Sequence, residues 1–495
     1  MASVPAIRVR TVTDTPVRDD GSFVLYWMTA ARRPHHNFAL DHAVDLAMQV
    51  DKPLLVLEAL RVGYRWACDR FHRFVIDGMR DQAAYFDRHD IRYHAYVERE
   101  AGDGKGLVRA LAEDACAVVT DDFPTFFHPR MLEAAAEQLE EVARLDAVDG
   151  NGLYPMHDTD RVFARAHDFR RHLQKKLLPH LEHAPLERPF VGKDVSGAVI
   201  PRAVLDRWPA APRALLDGDE GLESFPIDHD IGPATLEGGY RAGEARLASF
   251  LEADLERYGD GRNHPDDDAA SGLSPYLHFG FVSSHDLFAR VAEREGWTPK
   301  KQPTKATGQR SWWAMSEGAQ SFLDEAITWR EVGYNMCSHR SDHADYESLP
   351  DWARTTLEEH SGDAREHVYA LETFARAETH DPIWNAAQRQ LREIGVMHNY
   401  LRMLWGKKIL EWTEHPRDAL AVMVELNNRY ALDGRDPNSY SGIFWVLGRY
   451  DRAWGPEREI YGKIRYMTSA STKRKLRMNE YLERWSDAEP SERAS

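Results

Sequence analysis

The 495-residue chain is poor in cysteine, with only Cys68, Cys116 and Cys337, widely spaced and without a C-x-x-C pair. That excludes a disulfide framework and a cysteine-based zinc site, and the expected compartment is a reducing one. Nor is there an apolar run approaching the roughly 18 residues of a membrane span. The opening MASVPAIRVRTVTDTP lacks the apolar centre of a secretory leader, so the expectation is a cytoplasmic protein without membrane association. Positive charge is also short: 63 basic against 80 acidic residues leave a net −17. Indiscriminate polyanion binding is disfavoured, but net charge describes the long-range field, and a local basic face remains open.

At 43% hydrophobic and 29% charged residues the composition is that of a globular chain, and its length predicts two or three domains. Phe23–Trp27, Pro53–Leu57, Ile91–Val97 and Ala117–Val119 read as strands, largely buried ones. Between them Leu40, Ala43, Val44 and Ala47, then Phe71, Phe74, Val75 and Met79, recur at i, i+3, i+4 spacing and predict helices. Strands alternating with helices imply an α/β domain built on a doubly wound parallel sheet, expected over residues 1–183. The turn after its first strand, Met28-Thr29-Ala30-Ala31, has no G-x-G-x-x-G, so a nicotinamide-type dinucleotide site is unsupported. Residues 184–239 are rich in turn formers and predict a long inter-domain linker. Residues 240–485 carry helical periodicity and predict an all-α domain, and 486–495 a frayed tail. Three tryptophans precede residue 297 and eleven lie from Trp297 onward, concentrating oxidisable rings in the helical part.

Five segments there carry chemistry. Ser271-Gly272-Leu273-Ser274-Pro275 is either a plain helix cap or an anion site, since hydroxyls and free amides at a helix start hold phosphate. Glu325 and Trp329, four apart, share a helical face that is either a solvated edge or a pocket wall. Asn399, Arg402 and Met403 share another, with Trp405 and Trp412 two turns apart along it; core packing explains the rings but not Arg402 and Asn399, which want polar partners. Asp433-Gly434-Arg435-Asp436-Pro437-Asn438 is a turn set among aromatics, a surface loop or a ligand-facing one. Between Arg449 and Arg477 nine basic residues (Arg449, Arg452, Arg458, Lys463, Arg465, Lys473, Arg474, Lys475, Arg477) face three acidic ones, reversing the sign of the whole chain. A solvated surface and a phosphate-binding face both fit.

The order SGLSPYLHFG, DEAITWRE, DPIWNAAQRQL, MHNYLRMLWGKKILEW, LDGRDPNSYSGIFW and YGKIRYM resembles the photolyase/cryptochrome flavoproteins, specifically the class II cyclobutane pyrimidine dimer photolyases. MHNYLRM stands where that pattern usually has MHGFMRM, which marks a divergent member. The resemblance implies an N-terminal α/β domain, a helical domain holding noncovalent FAD, fully reduced when active, and light-driven repair of DNA containing pyrimidine dimers by a monomer. It implies that Tyr258, Ser271, Leu273 and Ser274 hold the FAD phosphates and ribose. Arg402 and Asp433 would pair beside the isoalloxazine, and Asn438 would face flavin N5. Glu325, Trp329, Asn399, Met403 and Trp445 would line the lesion pocket. Trp405, Trp384 and Trp412 would relay electrons. Lys463, Arg465, Lys473, Arg474 and Lys475, from the basic run, would hold DNA phosphates. No metal is implied, and no residue identifies a second, antenna chromophore. The rival expectation is a cryptochrome-like blue-light photoreceptor without repair activity. An amide at Asn438 argues against it, because a carboxylate there would favour protonating flavin N5.

Overall fold

A computed structural model describes residues 4–303 and 305–486; apart from Ser486, the expected tail lies outside the described residues. Strands β1 (Val9–Thr11), β2 (Phe23–Met28), β3 (Leu54–Leu60), β4 (Arg92–Val97), β5 (Ala115–Asp121) and β6 (Arg144–Val148) form one sheet in the order β1-β6-β5-β2-β3-β4. Neighbours run parallel except β1, which is antiparallel to β6. Helices Phe38–Val50, Asp69–Arg88, Leu107–Ala112 and His128–Leu139 supply the crossovers. Every residue of β2 and β5 is buried, which is why β2 reads as an unbroken apolar run and β5 as one up to Thr120 and Asp121.

Two strands escaped the sequence reading. β1 is a short, largely exposed edge strand. β6, Arg-Leu-Asp-Ala-Val, carries a charge in its centre. Asp146 is nonetheless fully buried, because His42 Nε2 (2.9 Å) and Arg144 Nε (3.0 Å) neutralise its carboxylate. A local pattern cannot announce a partner that arrives from a helix about a hundred residues away.

Strand order reverses between β2 and β5, where a ligand site of such sheets is usually found. Here Asp121, at the end of β5, accepts the amides of Thr29 (2.7 Å), Ala30 (2.7 Å) and Ala31 (3.1 Å), so the backbone donors of the Met28–Ala31 turn are taken up by a side chain of the fold itself.

The chain divides into two compact units, Met1–Asp160 with Lys176–Ala248 and Leu273–Val291, and Arg161–Lys175 with Ser249–Gly272 and Ala292–Ser495. Residues 184–239 fall in the first unit and do more than connect: Ala198, Ile200, Val204 and Trp208 pack into the core formed by Leu25, Leu57 and Val118 of the sheet. All six strands lie in the first unit, and the second is helical. No described helix is long and apolar enough to cross a membrane.

Candidate functional site

Helices Pro382–Ile394, Asn399–Glu411, Pro416–Tyr430 and Pro437–Val446 of the second unit carry most of the singled-out residues. Pro at the first position starts three of them, where its missing N–H costs nothing, and Asp381 and Asp436 cap the first and last through their side chains. Arg402 finds its polar partner across the helices: Nη2 reaches Asp433 at 3.0 and 3.2 Å, and Nη1 donates to Asn427 Oδ1 at 3.2 Å. Asn427, buried, donates in turn to Ser439 Oγ at 2.6 Å. The sequence reading missed Asn427; its one local signal was the doublet Asn427-Asn428.

The Asp433–Asn438 loop is an internal turn rather than a surface one. Buried Arg435 sits at φ 65°, its amide donating to Asn428 Oδ1 (3.0 Å) and its guanidinium to the carbonyls of Asn428 and Ala431. A Cβ on Gly434 would meet the Asn427 carbonyl at 2.8 Å, so the turn needs glycine there to close on the helix and present Asp433 half-exposed. Asn438 is exposed in the first turn of its helix, its amide held by Asp436 at 2.8 Å.

Trp384, Trp405 and Trp412 are 0, 2 and 2% exposed, hence shielded from solvent. Trp384 lies between the other two. Its ring is parallel to Trp405 (centroids 6.4 Å, 5°) and edge-on to Trp412 (6.0 Å, 67°). Trp405 donates its indole N–H to Gln388 Oε1 at 2.9 Å.

The segment holding Glu325 and Trp329 is π-helical, Asp324–Trp329, between α-helices Glu317–Leu323 and Arg330–His339. The Arg330 amide bonds the Glu325 carbonyl, five residues back, so the turn is one residue wider than the α-helix expected and Glu325 and Trp329 diverge onto different partners. The Glu325 carboxylate pairs with Arg262, a second residue the sequence reading missed. Burial raises the Glu325 carboxyl above its ordinary value, with Arg262 opposing. Trp329 meets Trp445 at 4.7 Å between centroids, tilted 59°, and Arg170, bonded to Asp324 at 2.7 and 2.9 Å, lies 5.2 Å from the Trp329 ring. Two half-buried indoles side by side form an aromatic wall. Asn399 and Met403 stand on the Asn399–Glu411 helix, exposed and half-buried.

Tyr258 is buried edge-on against Phe250 and Phe322, at 5.5 and 5.4 Å, with Arg262 over its ring. Ser271 belongs to the second unit, whereas Leu273 and Ser274 belong to the first. The helix after them is only Ser274–His278, with Leu273 rather than a serine at its N-cap. In the basic run, Arg449 is buried, donating to the His343 carbonyl and Ser348 and lying 3.7 Å from the Phe444 ring centroid, so it belongs to the interior and not to a surface face. Arg477 pairs with Asp267. Lys463, Arg465, Lys473, Arg474 and Lys475 are exposed, the last three in the final turn of helix Ser469–Lys475, where the helix dipole also favours cations.

The residues around Arg402 fit a flavin on their donor set. Fully buried Gln388 uses Oε1 for Trp405 while its Nε2 has no protein partner among the described residues, as has the buried Nδ1 of His398. A buried polar atom left unpaired costs about 1–3 kcal/mol, which a heteroaromatic ligand with several acceptors and an N–H offsets.

No family model matches the chain. Curated relatives called deoxyribodipyrimidine photo-lyase do. That of Methanothermobacter thermautotrophicus is 34% identical over 97% of this chain and 98% of its own, that of Potorous tridactylus 31% over 97% and 85%, and that of Arabidopsis thaliana 32% over 93% and 88%. Among solved structures, a class III photolyase from Agrobacterium tumefaciens shares the fold with a TM-score of 0.66 at 18% identity, covering 94% of this chain and 86% of that one. The family these relatives share is the one the sequence motifs resemble. With 34% identity held across nearly the whole of both chains, the protein belongs to the photolyase/cryptochrome family, among the deoxyribodipyrimidine photo-lyases.

Proposed function

We propose that the chain is a light-driven DNA repair lyase that holds FAD noncovalently and splits cyclobutane pyrimidine dimers. The observation that carries this reading is the Arg402–Asp433 pair, bonded to Asn427 and one helical turn from the head of a buried tryptophan column.

Reduced FAD, when bound, supplies a photoexcited electron donor; the protein supplies geometry and electrostatics. Arg402 and Asp433, bonded to each other, would present a fixed ion pair beside the ring system. Asn427 is buried and oriented by Arg402 and Ser439, whereas Asn438 is exposed, so we assign to Asn427 the amide role at flavin N5 that the resemblance gave Asn438. Tyr258, Ser271, Leu273 and Ser274 keep the phosphate and ribose role by resemblance alone. A dimer inside a stacked duplex cannot reach a buried ring, so it is extruded into the pocket. Trp329 and Trp445 then stack against it, with Asn399 and Met403 beside them. Glu325, its carboxyl raised by burial and held by Arg262, hydrogen-bonds the polar edge of the flipped bases. The exposed cations Lys463, Arg465, Lys473, Arg474 and Lys475 take backbone phosphates.

Illumination of reduced, FAD-loaded protein with a dimer-containing oligonucleotide, against a dark control, tests the reading. Loss of dimers in the light alone is expected; equal dimer content in both samples overturns it.

A further inference from the structure

The loop after β4, residues 98–106, encloses a cavity together with residues 207–215 of the segment expected as a linker. Its volume is about 500 Å³, within the roughly 300–1,000 Å³ of small-molecule sites. Every residue that lines it belongs to the first unit. It sits at the edge strand β4, away from the reversal of strand order between β2 and β5.

Both walls are fixed by the fold. Buried Glu98 accepts the amides of Gly102 (2.9 Å) and Gly104 (3.1 Å) through Oε1 and that of Val62 (2.9 Å) through Oε2, which shapes the glycine-rich loop. Opposite, Ala211 donates its amide to the Ala95 carbonyl of β4 at 2.8 Å, and Trp208 donates its indole N–H to the Asp103 carbonyl at 2.8 Å. A cavity held in this way loses little ordering entropy when it is filled.

Two independent features of the cavity call for a ligand. Tyr96 lines it and is only 6% exposed, yet its hydroxyl has no hydrogen-bond partner among the described residues. Burial, with Asp103 and Glu98 adding, pushes this phenol up to about 12, so it stays protonated and offers a donor. The second feature is charge: Arg99, Lys105 and Arg207 line the cavity against a single carboxylate, Asp103, in a chain of net −17. Glu220 pairs with Arg99 at 2.8 Å, and Asp103 accepts the Glu100 amide at 3.0 Å. Lys105 and Arg207 have no ion pair among the described residues, and Arg207 lies 4.3 Å from the Trp208 ring centroid. Two such cations match the charge of about −1.5 to −2 that a phosphate monoester carries near pH 7. A bare phosphate would leave most of the cavity unfilled, and Pro209, Pro212 and Leu215 offer apolar surface to the remainder of a larger molecule.

We propose that this cavity binds a small organic phosphate other than the flavin. Lys105 and Arg207 hold its phosphate, the Tyr96 hydroxyl donates to it, and the wall of Pro209 and Pro212 covers its apolar body.

The probe is adenosine 5′-monophosphate, titrated calorimetrically into full-length, FAD-loaded protein, whose flavin site is then already filled. Saturable binding is expected, roughly 10-fold or more tighter than that of either half of the probe, adenosine or inorganic phosphate. Lys105→Gln and Arg207→Gln should each weaken it by roughly 10-fold, the scale of one charge-assisted contact. Tyr96→Phe removes a hydroxyl that bonds nothing in the protein, so the melting temperature without probe should equal the parent's, while the rise produced by the probe shrinks. Flavin absorbance reports that each variant is folded and loaded. Absence of saturable binding, or binding that all three variants leave intact, overturns the site. Inorganic phosphate bound as tightly as the monophosphate overturns the organic ligand, and adenosine bound as tightly overturns the role of the cations.

Discussion

Trp384 donates its indole N–H to the backbone carbonyl of Trp405 at 3.0 Å, and the two rings lie within 5° of parallel. The bond ties one ring to the helix that carries the other, so the spacing between them is set by the backbone and not by a free rotamer. Trp405 and Trp412 stand about 10.5 Å apart by helix rise; Trp384, from the neighbouring helix, breaks that distance into two shorter steps.

Trp384→Phe should therefore stop light-driven reduction of oxidised flavin even though Trp405 and Trp412 remain. Phenylalanine keeps the bulk and removes the oxidisable indole. Repair by chemically prereduced protein should survive. Flavin absorbance under anaerobic blue light checks the first, and dimer loss the second; normal photoreduction in the variant would place Trp384 outside the route.

Arg402→Ala removes charge-assisted bonds to Asp433, each worth about 1.5–3 kcal/mol, and leaves the carboxylate uncompensated. FAD retention should fall by on the order of 10-fold or more, the scale of one lost charge-assisted contact to the ring system, read by flavin fluorescence titration. Asn427→Ala should shift the flavin spectrum and redox behaviour, while Asn438→Ala should leave both near those of the parent. The opposite ranking would return the N5 role to Asn438.

Lys407 is buried, its Nζ donating to the Val446 carbonyl, and burial holds its ammonium down to about 7. In the unfolded chain it titrates at about 10.4. Between those values the unfolded state binds a proton that the folded state does not, so stability rises with pH across the window; below it both states are protonated and this contribution is flat. Urea midpoints taken through the window should climb for the parent and climb less for Lys407→Met. Parallel curves would mean that Lys407 titrates normally.

For DNA, neutralising Lys473, Arg474 and Lys475 together should weaken damaged and undamaged duplex alike. The slope of log K against log salt should become shallower by roughly 0.9 for each phosphate the protein no longer neutralises. Trp445→Ala should instead erase the preference for the lesion, since its ring meets Trp329 in the pocket wall. Arg449→Ala, in the same run of sequence, should lower the melting temperature without touching the salt slope, because Arg449 is bonded inside the protein. A slope unmoved by the triple change would remove that helix from the DNA-binding face.

Strands β2, β3 and β5 were visible in the sequence because central strands covered on both faces carry runs of apolar residues, and the edge strand β4 because Ile91–Val97 is rich in aromatic and β-branched residues. The candidate residues Arg402, Trp384, Trp405 and Trp412 were visible for a related reason: cations and large oxidisable rings on apolar helices stand out against their neighbours, and Asp433 stood out as part of a polar turn set among aromatics. What stayed hidden was pairing. Asn427 and Arg262 are ordinary polar residues until Arg402 and Glu325 are seen to hold them. The wider turn at Glu325–Arg330 follows from backbone bonding that the apolar spacing of DEAITWRE does not distinguish from an α-turn.

The sequence by itself thus determined the two kinds of architecture, the family and the residue types available for chemistry, since these depend on composition and spacing along the chain. Only the tertiary structure decided that Asp146 is a tolerated charge in a buried strand, that Arg449 is interior while Lys473 is not, and that Trp384 stands between Trp405 and Trp412. Each of those depends on groups brought together from distant segments, and the free energy of a buried charge or the path of an electron is set by distances of a few ångströms that no local pattern records.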